Sequence, residues 1–307
     1  MRGRGARERP IMEYKTLTEP DPFRFRGVLP HFETSAAEVK TASASTRARR
    51  PCRLDVAYGD GPDETLDLFF PDEPAKAPAP IHLFVHGGYW RANSKNDYSF
   101  IADSVCALGA IAAIMDYTLM PAVRMGALVD QTRRAARWLG AHAHEFGGDP
   151  DAISASGHSA GGHLVAWLGC RAPHEADLPD TPVRSILAVS GIYDLAPIAT
   201  SFLQPELHLT AQEIAQWSPC YATPRPDLAI RLILGARETA PFFEHAGRFA
   251  GRLASHGARP ILASIEGEDH LTIARSLGRV GSVGATHLAK AIAASRPKYK
   301  EGPEGPS

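Results

Sequence analysis

The order of apolar segments along this chain predicts an α/β fold, a mostly parallel central sheet of about eight strands with helices on both faces. Two observations carry that expectation. Short apolar runs recur from residue 53 to residue 266, and segments with helical spacing or composition separate most of them. Strand–helix alternation of this kind needs crossover connections, and these cover both faces of a parallel sheet.

Taken in order, RLDVAY (53–58) and TLDLFF (65–70) read as strands joined by a Gly-Asp-Gly-Pro turn. A Pro/Ala linker (71–80) leads into IHLFVH (81–86), a buried strand by its unbroken apolar run. A helix near 96–108 precedes the strand AIAAIMDY (110–117). A long helix at 121–146 follows, with Val123, Leu128, Ala135, Trp138 and Leu139 near one face. The strand DAISASG (151–157) runs directly into a helix at 160–171, and SILAVSG (185–191) is the next strand. After an irregular, cap-like insertion at 195–225 come LAIRLILG (228–235), a helix at 241–256, PILASIE (260–266) and a helix at 271–294. One catalytic domain over 51–295 accommodates all of this, followed by a flexible tail at 296–307. Residues 1–50 read as a poorly ordered arm, rich in proline and polar residues, with one helix around Ser35–Ala42. The basic opening MRGRGARERP lacks the apolar run of a secretory signal. It is transit-like or simply disordered, with Met12 an alternative start.

With a formal charge of -1, 44% hydrophobic and 22% charged residues, the composition is that of a soluble globular protein. No global field favours nucleic acid or an acidic membrane, so a small, near-neutral substrate is expected. The four cysteines are far apart without CxxC spacing, which points to reduced thiols in a cytoplasmic protein. No metal-ligand pattern is present: in HAHE the two histidines are two apart and face different ways on a helix.

The chemistry concentrates at Gly157-His158-Ser159-Ala160-Gly161, a G-x-S-x-G between a strand and a helix. Such a turn strains the serine backbone and lifts its hydroxyl clear of the sheet, and the flanking glycines avoid collisions with strand and helix. A tetrahedral oxyanion needs two main-chain donors. The Ala160 amide supplies one, and the loop His86-Gly87-Gly88-Tyr89-Trp90, just after a strand, supplies the other through Gly87 or Gly88. Of thirteen histidines, His270 in EGEDHLTI follows the last strand, where the order serine, acid, histidine requires the base. His158 adjoins the nucleophile and points away from it, and His163 lies on the following helix. Two carboxylates compete to orient the imidazole: Glu238, after LAIRLILG, and Asp194, after the preceding strand. Glu268 and Asp269 are too near His270 in sequence to serve.

At HGGYW, DYTLMP, GGDPDAISASGHSAGGHLVAWL and VSGIYDL the chain resembles the α/β-hydrolases of the esterase/lipase group that carry an HGG oxyanion loop. Within that group it is most similar to kynurenine formamidase-type enzymes, through HGGYW, VSGIYDL and GARETAPFFEHAGRFAGRL. The resemblance implies a Ser159–Glu238–His270 triad, with Gly87, Gly88 and Ala160 around the oxyanion, and no cofactor. Tyr89, Trp90, His158, Phe202 and Trp217 are the expected substrate contacts. The expected partner is a small acyl substrate, with no nucleic acid and no membrane, and a homo-oligomer is allowed. Three readings stand side by side: hydrolysis of an N-formyl aryl amine, a general short-chain carboxylesterase, and a non-catalytic binding module on the same fold.

Overall fold

The computed structural model describes residues 21–73 and 77–297. The start of the arm, including Met12, and the end of the tail lie outside the described residues. Eight strands form one sheet: β1 (Cys52–Ala57), β2 (Thr65–Phe69), β3 (Ala79–Val85), β4 (Ile111–Met115), β5 (Gly148–His158), β6 (Val183–Val189), β7 (Ala229–Gly235) and β8 (Ile261–Ile265). Their spatial order is β1-β2-β4-β3-β5-β6-β7-β8. Only β2 runs against its neighbours, pairing antiparallel with β1 and β4; all other pairs are parallel. The expected strands are all present. A two-residue ribbon, Cys170–Arg171 against Thr223–Pro224, lies outside this sheet.

The helices are α1 (Phe32–Arg49), α2 (Ala102–Ala107), α3 (Met125–His142), α4 (Ala160–Ala166), α5 (Ala211–Trp217), α6 (Ala240–Ser255), α7 (Thr272–Leu277) and α8 (Val283–Ser295), with shorter helical turns between. Alternate residues of the central strands feed two separate cores. Ile81, Leu83 and Val85 of β3 pack with Leu128 and Val129 of α3, Leu164 of α4 and Phe249 of α6. Phe84 of β3 and Leu187 and Val189 of β6 face the other way, against Val105 of α2, Leu277 of α7 and Leu288 of α8. The sheet is therefore covered on both sides, and the C-terminal ends of its parallel strands are left to carry loops.

Two expectations need correction. The final helix is broken into α7 and α8, because Gly278 abuts Phe100 so closely that a Cβ would lie 2.7 Å from the Phe100 carbonyl oxygen, and Gly281 turns at φ +82°. The part of the arm from residue 21 to 50 is ordered and packed. Its helix α1 is docked by Ser43, which donates to the Asp97 carbonyl at 2.9 Å, by Thr46, which donates to Asp103 at 2.9 Å, and by an Arg47–Asp67 ion pair. No helix among the described residues is long and apolar enough to cross a membrane.

Three buried histidines set an acid limit on this fold. Burial lowers His82 from 6.5 to about 3, and His163 and His245 to about 4. The unfolded chain takes up these protons below about pH 6.5 and the folded chain refuses them, so stability falls as pH drops through that window. Each group contributes roughly 1.4 kcal/mol per pH unit there. A melting temperature that declines steeply between pH 6.5 and pH 5 is expected in calorimetry; a flat profile would show that these rings are not held neutral.

Candidate active site

The segments that follow the C-terminal ends of β3, β5, β6 and β8 converge on one cavity of about 510 Å³. Ser159 stands between β5 and α4 with φ +56° and ψ -116°, a conformation that non-glycine residues avoid. The sequence folds that way because its neighbours lack side chains. A Cβ on Gly157 would lie 2.2 Å from the Gly161 carbonyl oxygen, and one on Gly161 would lie 2.0 Å from that of Val85. The strand and helix can thus approach closely enough to force the sharp turn. Ser159 borders the cavity.

His270 follows β8. Its Nδ1–H donates to Glu238 Oε2 at 2.9 Å, and the carboxylate is wholly buried. The tautomer follows from the network, since a carboxylate oxygen only accepts. Glu238 Oε1 in turn accepts from the Gly235 N–H at 2.9 Å and from the Ser190 hydroxyl. The Glu238 carboxylate is therefore fixed from two sides. Among the described residues His270 Nε2 has no hydrogen-bond partner, and His270 borders the same cavity as Ser159. Asp194, the competing carboxylate, is directed elsewhere: it pairs with Arg248 and accepts from the Ala196 N–H at 3.0 Å. Asp269, beside His270, accepts from the Leu271 and Thr272 N–H groups at the start of α7.

The loop after β3 presents a peptide to the serine. A Cβ on Gly87 would lie 3.2 Å from Ser159 Cβ, so the backbone is in close approach there. The Gly87 carbonyl is held back by His86 Nδ1 at 2.8 Å and by Asn93 Nδ2 at 3.2 Å. In a trans peptide the N–H opposes the C=O, so these two donors turn the Gly88 N–H the opposite way. Neither Gly88 nor Ala160 spends its N–H on a backbone partner, and first-turn helix amides such as that of Ala160 have none within the helix. Gly88 sits at φ +120°, and Tyr89 and Trp90 follow at φ +51° and +59°. Removing the Asn93 amide should let this peptide swing. We expect Asn93→Ala to lower kcat by about tenfold on an acyl ester with little change in KM, which steady-state kinetics will check.

The expected substrate contacts divide. Tyr89, Phe202 and His158 border the cavity. Trp90 and Trp217 do not. Trp90 is fully buried and packs edge-on to His163, while Trp217 packs edge-on to Trp167 and His174. Both are core residues; the insertion at 195–225 turns Trp217 inward and gives the cavity Phe202 and Glu206. His158 contacts His270 as well as the cavity: its Nε2–H donates to the His270 carbonyl at 2.8 Å, and burial with His270 alongside holds its pKa well below the usual range. Sequence reasoning missed Ser190, whose hydroxyl donates to Glu238, and Phe23, Arg24 and Phe25 of the arm, which line the cavity. The signal for the last three was the alternation Phe-Arg-Phe-Arg at 23–26, inside a stretch otherwise without pattern.

Comparison with known proteins agrees with this architecture. The BD-FAE family model matches residues 66–216. Kynurenine formamidase of Danio rerio is 25% identical over 245 residues, 78% of this chain and 81% of that protein. Esterase LipC of Mycobacterium tuberculosis is 34% identical over 145 residues, 46% of this chain and 36% of that protein. Among solved structures, a putative thioesterase from Silicibacter superposes with a TM-score of 0.76 at 24% identity, covering 89% of this chain and 98% of that one. An esterase of Pyrobaculum calidifontis gives 0.67 at 18%, covering 86% and 92%. The chain has the α/β-hydrolase fold, and the proteins it is similar to include formamidases and esterases.

Proposed function

We propose that this chain is a serine hydrolase that cleaves a small acyl amide or ester through an acyl-enzyme, with N-formyl aryl amines such as N-formylkynurenine as the preferred class. One observation carries the reading. His270, fixed at Nδ1 by Glu238, leaves Nε2 free, and it borders the same cavity as a strained Ser159. Ser159 Oγ attacks the acyl carbon as its proton passes to His270 Nε2, and the oxyanion accepts from the Gly88 and Ala160 N–H groups. Collapse of the intermediate breaks the C–N bond, and His270 returns the proton to the departing amine. Water, deprotonated by the same ring, then attacks the formyl-serine and releases formate. Glu238 stays ionised throughout and balances the imidazolium.

The amide preference is supported by the formamidase relatives, which align over most of the chain, and by the aromatic walls Tyr89 and Phe202, which suit an aryl leaving group. The esterase relatives support a second reading, short-chain carboxylester hydrolysis by the same groups. A binding module would not need to keep a free imidazole nitrogen and an elbow serine at one cavity. The deciding experiment compares kcat/KM on N-formylkynurenine with that on p-nitrophenyl acetate. A higher value on the formamide is expected, and a strong preference for the ester transfers the assignment to the carboxylesterase reading.

A further inference from the structure

Residues 23–26 line the cavity, and the segment 21–31 contacts the loops that carry Tyr89, Glu238 and His270. Asp21 Oδ2 accepts from the Phe202 N–H at 2.6 Å. The Pro22 carbonyl accepts from the hydroxyl of Thr239, next to Glu238, at 2.9 Å. The Phe23 carbonyl accepts from the hydroxyl of Tyr89 on the oxyanion loop, and His31 Nε2 lies 2.9 Å from Asp269 Oδ2, beside His270. Within this segment Arg24 and Arg26 are exposed while Phe23 and Phe25 are buried, so the alternation sends the aromatic rings inward. The Phe25 ring lies flat on the His270 imidazole, with centroids 4.3 Å apart and planes at 19°. Phe242 at 4.6 Å and His158 at 4.7 Å hold the imidazole from other directions.

We propose that Phe25 is a positioning residue for the general base, and that residues 21–31 form a strap holding the imidazole where its Nε2 can meet Ser159. The inference rests on reading His270 as the base. A single hydrogen bond at Nδ1 fixes a point on the ring but leaves its plane free to tilt. A stacked partner removes that tilt, and reacting groups must be held to within about 10–20° for efficient transfer. The same ring shields one face of the imidazole from water and favours the positive charge it carries in mid-reaction. The strap's anchors to the loops of Glu238, Tyr89 and His270 make the placement of the base depend on a segment far from it in sequence.

The test uses the full chain and p-nitrophenyl acetate, with rates expressed per active site titrated by a fluorophosphonate. Phe25→Ala should lower kcat by about 10–100-fold while KM changes by less than about threefold. Phe25→Leu should fall between, and Phe25→Tyr, which keeps the ring, should recover most of the rate. Asp21→Ala loosens the strap without touching His270 and should produce a smaller loss, again in kcat. A readout independent of turnover is the low-field proton resonance of His270 Nδ1–H shared with Glu238. It should be sharp in the wild type, broadened by exchange in Phe25→Ala and restored in Phe25→Tyr. Loss confined to KM would make Phe25 a substrate wall and overturn the proposal, as would an unchanged resonance together with a rate per site within about twofold of wild type. A wild type that hydrolyses no acyl substrate defeats the functional reading alone, because the resonance comparison still decides whether the strap holds the ring.

Discussion

Ser159→Ala is expected to lower kcat/KM on any acyl substrate by about 10⁴-fold or more. Deleting the hydroxyl leaves the main-chain donors and the cavity walls intact, so binding survives while the covalent step is lost. Labelling by a fluorophosphonate should disappear with it, and intact-mass measurement of the treated protein will read this directly. Alanine keeps the backbone at φ +56°, whereas glycine tolerates that region without steric cost. Ser159→Gly should therefore be as inactive as Ser159→Ala yet melt at a higher temperature, because strain at such a site stores about 1–3 kcal/mol. Equal melting temperatures for the two variants would show that the turn is not strained. Substantial residual turnover in either would remove Ser159 from the chemistry.

The strand–turn–helix around Ser159 was readable because its requirements are local: a buried strand, glycines two residues away and an apolar helix in direct succession. The eight strands were readable for the same reason, each being a short run with little else to explain it. The arm was readable only in part: a helix around Ser35–Ala42 was expected and α1 spans Phe32–Arg49, but the packing of residues 21–50 against the domain was not expected. The residues that α1 buries are Ser35, Ser43 and Thr46, so no apolar stripe marks the helix, and its docking depends on polar contacts to Asp97 and Asp103 that exist only once the fold is complete. Trp90 and Trp217 misled for a related reason. Aromatic residues beside a site and aromatic residues beneath it look alike in sequence, and only packing against His163 or Trp167 distinguishes them. The choice between Glu238 and Asp194 also lay beyond local pattern, since both follow parallel strands and both are buried at that end of the sheet.

Glu238→Gln is the second large effect, and it separates those two carboxylates by function. The change conserves shape but replaces an oxygen that accepts from His270 Nδ1–H with an amide that can donate. A donating amide favours the other tautomer, with the proton on Nε2, where it cannot receive one from Ser159. Loss of the negative charge also removes the partner of the imidazolium formed during turnover. Together these should lower kcat by about 10³–10⁴-fold, the size expected when a triad acid is neutralised. Asp194→Asn, by contrast, weakens an ion pair to a half-exposed Arg248 and leaves the Ala196 N–H with an acceptor oxygen. Its kcat should stay within about threefold of wild type, since no group on the reaction path moves. Parallel kinetics on the two variants, normalised by circular dichroism for folded protein, will decide the assignment. If Asp194→Asn were the crippled variant, the 2.9 Å contact between Glu238 and His270 would have to be a resting arrangement that turnover abandons.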